Sequence, residues 1–209
     1  MSSSKPSKAH NYSKWIDKVR LYYPTDFLPS VYFYQNRFYE TLTLWADGRK
    51  FRSILEVGTG SCLAPICVKL MHPWKRVVAC DISKEVIEFA EKRCKYWNVD
   101  VQLHTADARD LPFQDKEFDS LLNEGCLEHW GEEERVQMLK EMKRVAKRLV
   151  IDLPVNYRYA IPIGGYGDEQ ILPLSYWRDL FKRCGLRIYE EFFREKRGER
   201  IIRAGWGLE

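Results

Sequence analysis

The stretch with the most chemical content is Ile54-Leu55-Glu56-Val57-Gly58-Thr59-Gly60-Ser61-Cys62. An apolar run enters a pair of glycines and passes directly into a second apolar segment, the pattern of a strand, a tight turn and a helix. Glycine lets the backbone bend there and approach a ligand without a Cβ in the way. A dinucleotide fingerprint would place its third glycine at position 63, where this chain has Leu63. Two further acids point to a different ligand. Asp81 closes the run Val77-Val78-Ala79-Cys80-Asp81, and a carboxylate at a strand end suits a ribose diol, whose two hydroxyls can donate to its two oxygens. Asp107 follows His104-Thr105-Ala106 and precedes Leu111-Pro112-Phe113. It could accept from an exocyclic amine such as adenine N6, with apolar neighbours around the base. Any one of Glu56, Asp81 and Asp107 could be an ordinary turn residue. Three at successive strand ends after a glycine turn describe a nucleoside site.

The elements that must position these acids alternate along the chain. Strands are expected at 52–57, 76–81, 101–105, 118–123 and 148–153, from short apolar runs bounded by turn residues. Helices are expected at 61–71, stopped by Pro73, and from the Ser83 cap to about Trp97. A third covers 132–147, with Glu132, Glu133 and Glu134 in its first turn, and a fourth ends near Cys184 with Gly185 behind it. Residues 154–172 read as a Pro/Gly-punctuated loop. The tail reads as two strands around a turn at Lys196–Glu199. Strand–helix alternation followed by a hairpin implies a parallel sheet covered on both faces, with an antiparallel element at its edge.

These motifs resemble the class I S-adenosylmethionine-dependent methyltransferases, in particular the methyltransferase type 11 group. The resemblance is carried by ILEVGTGS, the Asp81 strand end, TADARDLPFQDKEFD, and NEGCLEH followed by a helix containing EMKRVAK. The LEH-helix-RV pattern with DLPVN behind it is similar to ubiquinone-pathway O-methyltransferases. The resemblance implies an α/β, Rossmann-like class I methyltransferase fold. Its mostly parallel seven-stranded sheet would carry helices on both faces and an antiparallel terminal hairpin strand. It implies S-adenosyl-L-methionine as cofactor and S-adenosyl-L-homocysteine as product. Glu56, Gly58, Thr59 and Gly60 would then line the methionine half, Asp81 the ribose and Ile82 the adenine. Asp107 and Ala108 would meet the adenine edge, and Asn123 and Glu124 would border the methyl group. Cys62 stands where the family often has a third glycine, and the glycine turn usual before strand five is absent.

Methyl transfer from a sulfonium needs no covalent enzyme intermediate, only positioning and at times removal of a proton. Aromatic faces suit the sulfonium charge. His129 and Glu124 are the candidate bases at the expected active edge. The alternative for His129 is that it only organises the loop before the Glu132 helix. His72, His104, Cys62 and Cys126 read as packing or turn residues.

At 209 residues the chain suits one elaborated domain. We expect residues 1–48 to form a flexible leader and a helical cap or lid, rich in aromatics and broken by Pro24 and Pro29, and residues 49–209 the cofactor-binding domain. With 45% hydrophobic and 31% charged residues, the composition excludes wholly disordered and collagen-like classes. No apolar run approaches the ~18 residues of a membrane span, and the N-terminus lacks the apolar core of a secretory signal. The six cysteines have no zinc-like spacing, so we expect reduced thiols, no metal and a cytoplasmic location. The net charge of +4 is too mild to demand a polyanionic partner. A small-molecule acceptor and a monomer or homodimer are therefore expected. An RNA or protein acceptor, and a non-catalytic cofactor-binding subunit, are the alternatives. Asn123-Glu124-Gly125-Cys126 lacks the Pro-Pro-aromatic turn typical of methylation at base amines.

Overall fold

The computed structural model describes residues 16, 17, 20, 25, 26, 51–73, 75–156, 169–195 and 202–209. Its elements are β1 (Ser53–Val57), α1 (Leu63–Met71), β2 (Arg76–Asp81), α2 (Lys84–Tyr96), β3 (Gln102–Thr105) and β4 (Phe118–Glu124). A 3-10 turn (Leu127–His129), α3 (Glu132–Val145), β5 (Ala146–Asn156), β6 (Leu172–Pro173), α4 (Leu174–Arg183), β7 (Ile188–Glu195) and β8 (Ile202–Leu208) complete it.

The sheet order is β3-β2-β1-β4-β5-β8-β7, with the two-residue β6 paired to β5 beside this path. The first five strands are mutually parallel. Only β8 runs against its neighbours, between β5 and β7. The expected parallel sheet with an antiparallel hairpin strand is what the chain forms, with β6 as a small addition. The chain winds outward from β1 through β2 to β3, then returns to β4 on the other side. That reversal makes the carboxyl ends of β1 and β4 a topological switch point, where open α/β sheets bind ligands.

The period of two along the strands sorts side chains into two cores. Leu55, Val57, Val78 and Cys80 face α3 and α4, packing with Met138, Leu139, Met142, Trp177 and Phe181. Ile54, Val77 and Ala79 face α1 and α2, packing with Ile66, Ala90 and Cys94. Both faces are therefore covered, as the continuous apolar runs of parallel strands require.

Local chemistry explains most boundaries. The Ser83 side chain accepts from the Val86 N–H at 3.3 Å and starts α2. Glu134 reaches back to the Gly131 N–H at 2.8 Å and starts α3. Two expectations shift. The first helix begins at Leu63 rather than 61, because Cys62 adopts a left-handed conformation (φ 55°) that no helix continues. Strand β5 runs through Pro154 to Asn156, so the expected loop does not start at 154. Pairing of β8 up to Val155 and of β6 at Val155 and Asn156 extends it. Residues 157–168, the centre of that loop, and the Lys196–Glu199 turn lie outside the described residues.

Most of the proposed N-terminal cap also lies outside them, but three described positions touch α2. Ile16 is buried with Val86 and Phe89. The Arg20 guanidinium lies 5.9 Å from the Phe89 ring, and the Thr25 carbonyl accepts from Trp97 Nε1 at 3.2 Å. No helix among the described residues is long and apolar enough to cross a membrane.

Candidate active site

The site is built where β1, β2 and β4 end. Gly58 (φ 73°) and Gly60 (φ 52°) turn the chain after β1 in conformations that favour glycine. The N–H groups of Gly58 and Thr59 both donate to the Cys80 carbonyl, at 2.9 and 3.0 Å, and stitch the turn onto β2. Asp81, buried at the end of β2, accepts from the Gly60 N–H through one oxygen (3.2 Å) and from the Ser83 N–H through the other (3.0 Å). The Ile82 N–H also acts on this carboxylate, and of its roughly four acceptor positions these donors leave room for a diol hydroxyl. Burial raises the Asp81 carboxyl to about 6, although the surrounding backbone N–H groups pull it partly back.

Glu56 is buried at the end of β1 and accepts from the Thr59 hydroxyl. Burial raises its carboxyl well above the ordinary value; Thr59 opposes the shift, and the nearby charges of Glu124 and Asp81 add to it. A cation arriving beside Glu56 would favour its ionised form and relieve this arrangement.

Asn123 is fully buried in β4 and donates through Nδ2 to the Val57 carbonyl at 2.8 Å. Its Oδ1 has no hydrogen-bond partner among the described residues. A buried acceptor left open costs roughly 1–3 kcal/mol unless something donates to it. Glu124 follows, half-buried and paired across the sheet with Asp152 of β5. The chain then turns at Gly125 (φ 63°), whose N–H donates to the Asp152 carbonyl at 2.9 Å. Cys126 comes to rest directly over Gly58.

His129 ends the 3-10 turn and is half-buried, with its backbone N–H donating to the Cys126 carbonyl at 3.2 Å. That turn is held from behind. Arg135 of α3 is buried and donates through Nε to the Leu127 carbonyl (2.9 Å) and through Nη1 to the Tyr176 hydroxyl (3.0 Å).

Asp107 lies beyond β3. Arg109 grips its carboxylate side-on, Nε to Oδ1 at 3.0 Å and Nη2 to Oδ2 at 2.6 Å, while the Arg109 N–H also meets Oδ1 at 2.9 Å. Partial burial pushes the Asp107 carboxyl up, but these Arg109 contacts outweigh it and hold it below its ordinary value. Ile82, Ala106 and Ala108 are partly buried against the core beside it. The Ala106 N–H donates to the Asp81 carbonyl at 2.9 Å, so the ends of β2 and β3 move together.

The structure thus brings Glu56, Gly58, Thr59, Gly60, Asp81, Asn123 and Glu124 to one edge, with Ile82, Asp107 and Ala108 on its β3 flank. His129 sits on the turn that starts above the glycines. Sequence reasoning missed Arg109, Trp130, Arg135 and Asp152. An arginine two residues after a candidate acid was the one available sign of Arg109. His104 packs edge-on against Phe113 (5.4 Å between centroids), and none of the six cysteines is in a disulfide.

This geometry agrees with the likenesses the chain shows. Residues 54–148 match the family described as a methyltransferase domain. An uncharacterised protein of Methanocaldococcus jannaschii is 32% identical over 141 residues, covering 67% of this chain and 54% of that one. A demethylmenaquinone methyltransferase of Thermotoga maritima is 32% identical over 95 residues, covering 46% of this chain and 39% of that one. The chain thus spans about half, or less, of the lengths of these relatives. Among solved structures, a SAM-dependent methyltransferase from Aquifex aeolicus superposes with a TM-score of 0.71 at 19% identity, over 92% of this chain and 97% of that one. The [4+2]-cyclase SpnF superposes with a TM-score of 0.67 at 15% identity, over 81% of this chain and 80% of that one.

Residues 54–148 match the methyltransferase-domain family, and the fold around them is the one shared with the SAM-dependent methyltransferase from Aquifex aeolicus. The cofactor that goes with this fold is S-adenosyl-L-methionine, and the described residues fit it. Asp81 leaves acceptor room for a diol, Asn123 Oδ1 is buried without a partner among the described residues, and Glu56 places a buried carboxyl beside the glycine turn. A cyclase on the same fold shows why the reaction must be argued from the site.

Proposed function

We propose that this chain is an S-adenosylmethionine-dependent methyltransferase that transfers a methyl group to a small-molecule acceptor, at oxygen, nitrogen or carbon, by in-line displacement. The observation that carries this reading is the set of three carboxylates, Glu56, Asp81 and Asp107, at successive strand ends around the Gly58-Thr59-Gly60 turn. The cofactor, when bound, supplies a methyl carbon already activated by a positively charged sulfur.

The chain's own residues then have four tasks. Asp81 accepts the ribose hydroxyls, and Asp107 accepts the adenine amine with Ile82 and Ala108 against the base. Glu56 and the glycine turn hold the amino-acid end, where an ammonium beside the Glu56 carboxyl favours its ionised form. Asn123 and Glu124 border the transferring methyl, with Glu124 available to anchor an amine or accept a proton. His129 orders the entrance to the cleft and is the second candidate base. Positioning alone can supply several kcal/mol of the barrier reduction. A leader and helical cap or lid within residues 1–48 belongs to the same proposal, supported by the contacts of Ile16, Arg20 and Thr25 with Val86, Phe89 and Trp97. A cytoplasmic location belongs to the same proposal.

A small acceptor is supported by the name of the Thermotoga relative, a demethylmenaquinone methyltransferase. It is supported too by the lack of a Pro-Pro-aromatic turn after β4. The test is calorimetry with S-adenosylhomocysteine, paired with mass spectrometry of small molecules that co-purify with the protein. Wild type should bind, and Asp81→Ala should weaken binding at least about tenfold, since two charge-assisted hydrogen bonds are lost and ~1.4 kcal/mol is one decade. Undiminished affinity in Asp81→Ala would remove the ribose assignment.

A further inference from the structure

Two cysteines meet behind the glycine turn. Cys62 closes that turn, and Cys94 stands in the last turn of α2, with their sulfurs 3.9 Å apart. Both belong to the core that α1 and α2 form on their face of the sheet. Cys62 is fully buried, whereas Cys94 is 6% exposed, so a small solute reaches Cys94 first. Its neighbour Arg93 donates through Nη1 to the Ser61 carbonyl at 2.8 Å and ties the same part of α2 to the turn.

The two thiols are unequal. The hydrogen bond with Cys62, with the Arg93 charge adding to it, holds the Cys94 thiol below its ordinary range in spite of burial. The same contact, together with burial, pushes Cys62 up. Cys94 is thus the member that forms a thiolate, and Cys62 is the thiol that an oxidised Cys94 would meet. Cys62 is also bound into the site. Its N–H donates to the Thr59 carbonyl at 2.8 Å, and the Thr59 hydroxyl serves both Glu56 and the Cys62 sulfur. Its backbone is left-handed (φ 55°), outside the regular helix that follows. A disulfide would draw the sulfurs together to ~2.05 Å. Since Cys94 is fixed in a regular helix, the turn side must give way.

We propose that Cys62 and Cys94 are an oxidisable pair, a modification site through which a peroxide loosens the hold of the glycine turn on the cofactor. The Cys94 thiolate attacks one peroxide oxygen, the O–O bond breaks, and the departing hydroxide takes up the Cys94 proton as water, leaving a sulfenic acid. The Cys62 sulfur then attacks that sulfur. An S–S bond forms, the S–O bond breaks, and the hydroxyl leaves with the Cys62 proton as a second water. The two thiols give up two electrons, and the peroxide is reduced by them. The effect on the cofactor rests on the reading above, whereas the bond itself does not.

The test treats the full chain with hydrogen peroxide, alkylates the remaining thiols under denaturing conditions and maps the peptides by mass spectrometry. A Cys62–Cys94 linkage is expected in wild type, reversed by dithiothreitol and absent from Cys94→Ala. In calorimetry, oxidised wild type should bind S-adenosylhomocysteine at least about fivefold more weakly than the reduced protein, with affinity restored by dithiothreitol. Cys94→Ala should bind alike before and after peroxide. Should it not fold, Cys94→Ser, closer in size, carries the same comparison. Recovery of Cys62 in alkylated form after peroxide would overturn the proposal. So would a linkage that leaves affinity unchanged, or an affinity loss that Cys94→Ala shares. A reduced wild type that does not bind S-adenosylhomocysteine would overturn the cofactor reading and the coupling with it, while the peptide map still decides the pair.

Discussion

Cys126 sits so closely over Gly58 that a Cβ built on the glycine would stand 2.8 Å from its sulfur and 2.9 Å from its Cβ. The Gly58 φ of 73° independently disfavours any other residue. Gly58→Ala should therefore cost about 2–5 kcal/mol, combining roughly 1–2 for the left-handed backbone with roughly 1–3 for overpacking. Urea denaturation reads this directly. Adding Cys126→Ala should recover only part of the loss, because the backbone strain and the Cβ contact remain. Full recovery would show that the sulfur alone sets the requirement.

Asp81 makes ligand affinity pH-dependent. Its carboxyl titrates near 6 in the folded protein, raised by burial from 3.8. The ribose hydroxyls need the ionised form, so binding should drive off the proton below that point. S-Adenosylhomocysteine affinity should rise with pH through about 6, by up to about a decade per unit below it, because one proton is released on binding. Calorimetry from pH 5 to 8 should show this step, and Asp81→Asn should lack it. The same raised value means that Asp81 stabilises the ligand-free fold below about pH 4 and that this contribution is lost as the pH climbs through 6.

Removal of residues 1–45 should leave a folded core that still binds cofactor but has lost transfer. The contacts of Ile16 with Val86 and Phe89, and of Thr25 with Trp97, add a stability cost of about 2–4 kcal/mol from partial re-exposure of apolar area. Thermal unfolding and a transfer assay on the truncated chain measure the two effects separately. Retention of full transfer would end the cap reading.

His129→Ala separates a base from an organiser. A general base would show turnover lowered by ~10²–10⁴ with cofactor affinity nearly unchanged, and partial rescue at high pH where a hydroxyl acceptor ionises unaided. We favour the organiser, since His129 closes a turn whose backbone Arg135 already holds from behind. The expected outcome is reduced stability or weaker cofactor binding with no rescue at high pH, read from a pH–rate profile.

The parts of the fold written in local chemistry were legible in the sequence. Strand β2 occupies 76–81 as its short apolar run suggests, and Ser83 caps α2 with its own side chain. The three acids could be read because each lies at or just beyond the end of a strand, where a side chain meets whatever the sheet edge binds. What was illegible depends on distant partners. Pro154 looks like a loop opener until β8 and β6 pair around it. Cys62 looks helical until its left-handed backbone is seen. Arg109 and Trp130 lie far enough apart in the chain that no periodicity connects them, and Arg135 resembles any solvated helix arginine until the 3-10 turn folds onto it.

The hairpin at the sheet edge has a consequence for the order in which protection is lost. Strand β7 precedes β8 in the chain but lies outside it, so its ladder reaches the parallel sheet only through β8. Any fluctuation that detaches β8 from β5 releases β7 as well, whereas β7 can peel away and leave β8 in place. In native-state hydrogen exchange the β7 amides should therefore never be slower than those β8 amides that bond to β5. The two strands form a nested pair of opening events, with the outer one always the less costly.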